Sequence, residues 1–207
     1  MKLRTLTILL LLQVTAGSHK ATESLQTGDL LFFADTTGMG AAVKESTGQY
    51  THVALVEEVG DTIWIIDATQ RFGVSRRMLE DSGNGNPGYD AYRFVQPFDT
   101  TAVVSRAKSC IGQPYDQAFL PDNGALYCSE LIYECFLDSL GNHLFEAHPM
   151  NWRTADGSMP SYWIAHFDSL GQPIPEGVLG TNPSGLARSS NLKRVHLSGN
   201  RSHLPAH

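Results

Sequence analysis

The strongest hydrophobic pattern in the chain lies in residues 126–140, LYCSELIYECFLDSL. Apolar residues recur there at the spacing of one helical face, and acidic residues fall on the opposite face. The apolar positions are Leu131, Ile132, Cys135, Phe136 and Leu140, and the acidic positions are Glu130, Glu134 and Asp138. The dipeptide Gly141-Asn142 follows as a typical helix stop. The pattern predicts one amphipathic helix over residues 126–140, with Cys128 in its first turn.

Apolar runs rich in β-branched and aromatic residues come earlier in the chain. Residues 27–35, TGDLLFFAD, predict a turn that leads into a buried strand. Residues 51–60 and 61–69 are two such runs joined at Gly60-Asp61, which is typical of a β-hairpin. Further strands are predicted over residues 72–77 and 92–95.

Helical and loop patterns occupy much of the remaining chain. Short helices are predicted around residues 41–45, 78–82 and 161–170, and a longer one over residues 100–111, capped by Asp99 or Thr100. Loops are predicted over residues 82–88 and 173–191, which are rich in Gly, Pro, Ser and Asn, and the last residues are expected to form a loose tail. Because strands come first and helices mostly later, the order predicts an α+β fold with a small antiparallel sheet packed against helices.

The N-terminus has the pattern of a secretory signal peptide. Lys2 and Arg4 precede an apolar run over residues 6–12, and small residues follow up to Ala16. We expect cleavage after Ala16, a single domain over residues 17–207 with a loop-rich C-terminal extension, and a periplasmic or secreted protein. No cysteine lies near the cleavage site, so no stable membrane anchor is expected after cleavage. The alternative is an N-terminal helix that is buried or anchored in a membrane.

Composition narrows the class of partner and cofactor. The chain has 207 residues, 42% of them hydrophobic and 17% charged, which is typical of a globular protein. Its formal charge of −6 and the lack of a basic stripe argue against nucleic acid as the main partner. The eight histidines and three cysteines show no metal-ligand spacing, so neither a metal nor another cofactor is expected.

Three cysteines leave at least one unpaired, and Cys128 is the candidate for chemistry. Cys110 and Cys135 fall on apolar helical faces and are predicted to lie in the core. Cys128 lies at a helix start, where free N–H groups and the helix dipole favour an anion and hence a nucleophilic thiolate. The alternative is core packing, because Cys128 is in phase with the apolar face and free cysteine is among the most buried residue types.

Two residues of the predicted hairpin have the chemistry to act with Cys128. His52 begins the first strand and Asp67 ends the second. Because paired strands lie about 5 Å apart, the two side chains can touch if they share a face. A cysteine, a histidine and a carboxylate are the nucleophile, base and orienting group of cysteine acyl transfer. Glu57 and Glu58 are alternative carboxylates, but they lie at the far end of the strand that His52 begins.

Five short motifs carry a resemblance to a known family. They are GDLLFF (residues 28–33), HVALV (52–56), IIDA (65–68), GQPYD (112–116) and YCSELIY (127–133). Similar motifs occur in the NlpC-type cysteine peptidases, where the segments with proline-tyrosine and cysteine come first. The rotated order found here resembles the circularly permuted, papain-like amidases of the YaeF/YiiX branch.

The resemblance implies both a fold and a set of site residues. The fold would be the permuted papain-like one, with Cys128 as nucleophile, His52 as general base and then acid, and Asp67 as the third member. The Cys128 backbone N–H would be one oxyanion donor. Tyr115 and Tyr127 would be oxyanion or substrate-binding residues, although Tyr115 could instead pack under the active-site loop.

The implied function is that of an exported thiol hydrolase, an amidase or peptidase. It would act through an acyl-enzyme on a cell-wall peptide or an amino-acyl amide. One alternative is a lipid acyltransferase or esterase of the lecithin retinol acyltransferase type, which would need a long apolar cleft; the glycine-rich residues 38–48 and 82–88 do not favour one. Another is a non-catalytic binding module. Trp152, Tyr162 and Trp163 are expected in an aromatic core rather than in a substrate cleft.

Overall fold

The computed structural model describes residues 23–81 and 88–197. The predicted signal peptide and most of the loop predicted over residues 82–88 lie outside these ranges. The strands are β1 (Leu30–Phe33), β2 (His52–Val59), β3 (Thr62–Thr69), β4 (Gly73–Met78), β5 (Tyr89–Phe94), β6 (His148–Pro149), β7 (Leu179–Gly180) and β8 (Leu192–Val195). The helices are α1 (Gly38–Thr47), α2 (Thr100–Ser109), α3 (Cys128–Cys135), α4 (Ser161–Leu170) and α5 (Pro183–Ala187), with a 3₁₀ turn at Leu79–Asp81.

Six strands form one antiparallel sheet in the order β4-β3-β2-β1-β5-β8. Helix α3 packs on β2 and β3, and α2 packs on α3. Strands β6 and β7 form a separate two-stranded sheet. The α+β prediction is therefore confirmed. Within the described ranges, no helix combines the length and the apolar character needed to cross a membrane.

The predicted hairpin is present as β2 and β3. Gly60 adopts a φ of 58° in the turn, a left-handed conformation that costs glycine little. The register places Leu55 opposite Ile66, and both are fully buried in the main core cluster. Alternation along each strand then fixes which residues face α3 and which face the other side of the sheet.

The main core fills the space between the sheet and helices α2 and α3. It includes Leu30, Phe32, Val53, Leu55, Ile66, Val103, Ala107, Leu131, Ile132 and Phe136. Cys135 is buried in this cluster and Cys110 packs against it partly buried, as the sequence predicted. Asp99 is the cap of α2, because its Oδ1 accepts a hydrogen bond from the Ala102 N–H at 2.9 Å.

The central helix is shorter than predicted. It ends at Cys135, not at Leu140, although Phe136 remains fully buried. Arg106 of α2 donates from Nε to the Cys135 carbonyl at 2.7 Å, and the Leu144 N–H donates to the Phe136 carbonyl at 2.8 Å. These two donors satisfy the carbonyls of Cys135 and Phe136, so the carbonyls do not need the N–H groups of another helical turn.

A tight turn occupies the residues that the helix was expected to include. The Asp138 carboxylate accepts hydrogen bonds from the N–H groups of Leu140 and Asn142, each at 2.8 Å. Aspartate favours such local bonds over helical ones. Leu140, which the periodicity placed on the buried face, is consequently 85% exposed.

The chain beyond residue 141 is more ordered than its sequence suggested. Residues 192–195, expected in a loose tail, form β8 and pair with β5. Val195 is buried, while the two central residues Lys193 and Arg194 are exposed, so the four-residue strand carries almost no apolar signal. Helix α5 likewise lies inside the segment that was predicted to be a loop.

Candidate active site

Cys128 is the first residue of α3 and lines a cavity of about 450 Å³. Its neighbour Tyr127 has an extended backbone, and the Tyr127 N–H donates to the Glu130 carboxylate at 3.3 Å, which helps to start the helix here. Cys128 is only 6% exposed and is also part of the main core cluster. Cys128 therefore packs in the core, as one interpretation expected, and also lines the cavity, where a nucleophile would have to lie.

His52 and Asp67 are in direct contact. His52 Nε2 lies 2.7 Å from Asp67 Oδ2. Val56 lies opposite Ile65, so His52 and Asp67, each an even number of residues away, share one face of the hairpin. Asp67 is completely buried, whereas the His52 side chain is 25% exposed and lines the same cavity as Cys128.

The surroundings of His52 favour its charged form. Burial alone disfavours an imidazolium, but the hydrogen bond to Asp67 and the interaction with Cys128 outweigh it and raise the pKa of His52 to about 10. Burial likewise works against the Asp67 carboxylate, yet His52 and then Arg77 hold the pKa of Asp67 below its ordinary value. With Nε2 bound to Asp67, Nδ1 is the ring nitrogen left to exchange a proton with Cys128.

Arg77 is a site residue that the sequence reasoning missed. Its Nη1 donates to Asp67 Oδ1 and its Nη2 to Asp67 Oδ2, both at 2.6 Å, and Nη1 also donates to Ser75 Oγ at 3.2 Å. Arg77 lies on the edge strand β4, where Ser75 is opposite Asp67. One available signal was that a fully buried carboxylate needs a compensating cation, and strand 72–77 offers two arginines.

The alternative carboxylates are engaged elsewhere. Glu57 pairs with Arg76 at 2.6 Å and with Lys108 at 2.5 Å, and it does not contact His52. Glu58 is exposed at the far end of β2. Among the carboxylates considered from the sequence, Asp67 is therefore the one that the structure brings to His52.

Tyr115 and Tyr127 both line the cavity. Tyr115 donates from its hydroxyl to Met39 Sδ at 3.7 Å, and burial, followed by the nearby Cys128, raises the pKa of Tyr115 well above its ordinary value. The Tyr127 hydroxyl accepts a hydrogen bond from the Thr181 N–H at 3.1 Å, and burial raises the pKa of Tyr127. Both hydroxyls therefore keep their protons and can act as neutral donors.

Apolar side chains form much of the cavity wall. The wall includes Phe33, Met39, Val43, Phe119, Met150, Trp152 and Trp163. Met39 and Val43 come from α1, so the glycine-rich segment 38–48 contributes apolar surface, contrary to the expectation from its composition. Trp152 and Trp163 belong to an aromatic cluster and also line the cavity, whereas Tyr162 packs at the edge of that cluster.

Two buried hydroxyls on the cavity wall have no protein partner. Ser129 Oγ and Thr181 Oγ1 are buried without a hydrogen bond to any described residue. Buried polar groups are normally paired. Over the ranges that the structure covers, no group of three or more His, Cys, Asp or Glu residues could hold a metal ion.

Comparison with known proteins identifies a family whose model matches most of the chain. The model of the family described as permuted papain-like amidase enzyme, YaeF/YiiX, C92 family, matches residues 24–196. The match includes β8 and the whole cavity wall, so it extends well beyond the motifs recognised in the sequence. No curated protein sequence matches the chain.

A solved structure is similar over most of the chain. It is the crystal structure of the metalloprotein YiiX from Escherichia coli O157:H7, with a TM-score of 0.69. The similarity covers 82% of this chain and 96% of that chain, at 21% sequence identity. At this identity the similarity concerns the fold, and it confirms the fold that the order of motifs predicted.

Proposed function

The chain belongs to the YaeF/YiiX family of permuted papain-like amidases, and we propose that it is a thiol hydrolase in which Cys128, His52 and Asp67 cleave an amide through an acyl-enzyme. The observation that carries the proposal is the 2.7 Å contact between His52 and a fully buried Asp67, in a cavity that also contains Cys128. Burial and fixed geometry are what a general base and its orienting group require.

The first half of the proposed reaction forms a thioester. Because the pKa of His52 is about 10, His52 Nδ1 already holds the proton of the Cys128 thiol in the resting site while Asp67 accepts from the Nε2–H, and the thiolate attacks the substrate carbonyl carbon. The N–H of Cys128 has no acceptor within the helix and donates to the oxyanion. The Tyr115 hydroxyl turns from its weak acceptor, Met39 Sδ, to be the second donor. The imidazolium then protonates the amine as the carbon–nitrogen bond breaks.

The second half releases the acyl group. His52 removes a proton from a water molecule, whose oxygen attacks the thioester carbonyl. The same donors stabilise the second oxyanion, and collapse gives a carboxylic acid and the free thiol. The substrate we propose is a cell-wall peptide or an amino-acyl amide handled after export.

A second candidate function is supported by the apolar wall of the cavity. Met39, Val43, Phe119 and Met150 would suit an acyl chain better than a charged peptide. The chemistry at Cys128 would be the same, but the substrate would be a lipid ester. The acyl group would then pass from the Cys128 sulfur to water or to another acceptor.

An acyl-enzyme trapping experiment tests both candidates. The purified protein is mixed with amino-acyl or muropeptide amides and, separately, with fatty-acyl esters, quenched in acid and weighed by mass spectrometry. We expect an adduct on Cys128 with one class of substrate. Cys128→Ser should lower turnover by about 10⁴-fold or more, whereas Cys110→Ser should leave turnover unchanged. Absence of an adduct with both classes, with Cys128→Ser as active as wild type, would contradict the proposal.

A further inference from the structure

We propose that Arg77 is a positioning residue of this site, which fixes the orientation of Asp67 and supplies a permanent positive charge to it throughout the catalytic cycle. The role rests on the proposed function, because it concerns the group that holds His52. It assigns a function to a residue that lies outside the expected set of Cys128, His52 and Asp67.

The geometry shows how Arg77 fixes Asp67. The guanidinium meets the carboxylate with two parallel hydrogen bonds, one to each oxygen and both 2.6 Å long. A bidentate contact of this kind sets the plane of the carboxylate as well as its position. Asp67 Oδ2 accepts from both Arg77 Nη2 and His52 Nε2, so the plane set by Arg77 also directs the imidazole.

The burial of Asp67 explains why a second cation is needed. Asp67 is 0% exposed, and an isolated buried carboxylate is strongly destabilised. His52 balances the charge of Asp67 only while it is an imidazolium, and the proposed reaction requires it to become neutral each time it protonates a leaving group. Arg77 stays protonated at every pH of interest and balances Asp67 during those steps.

The charge of Arg77 also limits how strongly Asp67 holds the proton of His52. Arg77 offsets part of the charge of Asp67, so the carboxylate stabilises the imidazolium less than it would alone. Without Arg77, the Asp67 anion would stabilise the imidazolium further and make it a poorer acid. The loss of a cation would also raise the pKa of anions in the site, by about one to three units for a charge within 4–6 Å.

Few other charged groups face His52. The titratable or charged side chains that share its cavity are Asp35, Arg77, Tyr115, Tyr127 and Cys128, with Asp67 buried behind them. Asp35 is an exposed residue, with its Oδ1 hydrogen-bonded to Thr37. Arg77 is thus the only lysine or arginine among the residues described as lining this cavity.

The test compares variants of two neighbouring arginines. Arg77→Met removes the charge, and Arg77→Lys keeps the charge but loses the two-pronged contact. Arg76→Met is the matched control, because Arg76 lies on the same strand and pairs with the carboxylate of Glu57 away from His52. The exposures of the two arginine side chains are also close, 25% for Arg76 and 21% for Arg77.

The rate of Cys128 alkylation by iodoacetamide is measured from pH 4 to 10.5, together with kcat and KM for the substrate identified by acyl-enzyme trapping. We expect Arg77→Met to move the acid limb of the alkylation profile upward by about one unit or more and to lower kcat about tenfold or more with little change in KM. Arg77→Lys should lie between Arg77→Met and wild type, and Arg76→Met should keep the wild-type limb. In an Asp67→Asn background, Arg77→Met should cause no further loss of kcat, since the carboxylate that Arg77 orients and balances is then gone.

The outcomes separate this role from the proposed function. A wild-type profile that is unaffected by His52→Ala would overturn the proposed function itself. A wild-type profile that depends on His52, with the same acid limb in Arg77→Met, would overturn the role of Arg77 alone. An Arg77→Met variant that loses activity and melts early, while its alkylation profile keeps the wild-type acid limb, would identify Arg77 as a purely structural residue.

Discussion

At the scale of single residues, two buried carboxyl groups in and next to the candidate site have pKa values shifted in opposite directions. Asp67 is fully buried but has two cationic neighbours, so the pKa of its carboxyl stays below the ordinary value. Glu130, two residues after Cys128, is buried and has no such neighbour. Burial raises the pKa of Glu130 to about 8, although its carboxylate accepts a hydrogen bond from the Tyr127 N–H.

The raised pKa of Glu130 predicts a pH-dependent stability. Its carboxyl ionises near pH 4.5 in the unfolded chain and near pH 8 in the folded one, so its contribution to folding is lost as the pH rises through that window. Glu130→Gln stays neutral and keeps an oxygen for the Tyr127 N–H. We expect Glu130→Gln to raise the free energy of unfolding at pH 8.5 by at least about 1.4 kcal/mol, the equivalent of one pKa unit.

Urea unfolding at pH 4 and at pH 8.5 measures this difference. At pH 4 the variant and the wild type should be equally stable, because both side chains are neutral. Glu134→Gln, on the exposed side of the same helix, is the control and should show no comparable gain. A Glu130→Gln variant that is less stable than wild type at pH 8.5 would show that the carboxylate is needed in its charged form.

At the scale of elements, α3 is held between the sheet and α2, and its end is set by α2. Arg106 binds the Cys135 carbonyl, and Phe136 then leaves the helix while keeping its ring in the core. The ring of Phe136 stacks on that of Phe94, with a centroid distance of 5.2 Å and an angle of 15° between the planes. The buried face of the segment therefore stops at Phe136.

This boundary predicts unequal effects of two substitutions that the sequence pattern treats alike. Phe136→Ala should lower the free energy of unfolding by about 3–5 kcal/mol, because it removes a fully buried aromatic ring. Leu140→Gln should change it by no more than about 0.5 kcal/mol, because Leu140 is exposed. Denaturant unfolding of both variants tests this, and a cost for Leu140→Gln as large as that for Phe136→Ala would place the helix end where the periodicity alone put it.

Local sequence was sufficient for some features of the fold and insufficient for others. The hairpin that carries His52 and Asp67 follows from alternation and the Gly60 turn, so its face-sharing geometry was predictable. The Arg77 contact depends on the register of an edge strand, and the end of α3 depends on Arg106 from another helix. Both are long-range interactions that leave no periodic signal in the segment they affect.

At the scale of the whole molecule, the C-terminal third completes the cavity wall and holds the segment just before His52. Ser184 Oγ accepts a hydrogen bond from the Tyr50 N–H at 2.9 Å and lies 3.1 Å from the Tyr50 carbonyl, two residues before His52. Trp163 Nε1 donates to Ser46 Oγ at 3.2 Å, which links α4 to α1. This region showed little signal in the sequence because its elements are short and their partners are distant in the chain.

The central claim is that Cys128 and His52 act as one proton-sharing pair, and the most direct test is the pH dependence of Cys128 alkylation in wild type and His52→Ala. For wild type we expect fast alkylation that extends well below neutral pH, with a further change near pH 10, where His52 loses its proton. His52→Ala should lose the low-pH reactivity and alkylate like an ordinary thiol. Slow alkylation of the wild type, with a profile that His52→Ala leaves unchanged, would contradict the account and favour a non-catalytic binding module.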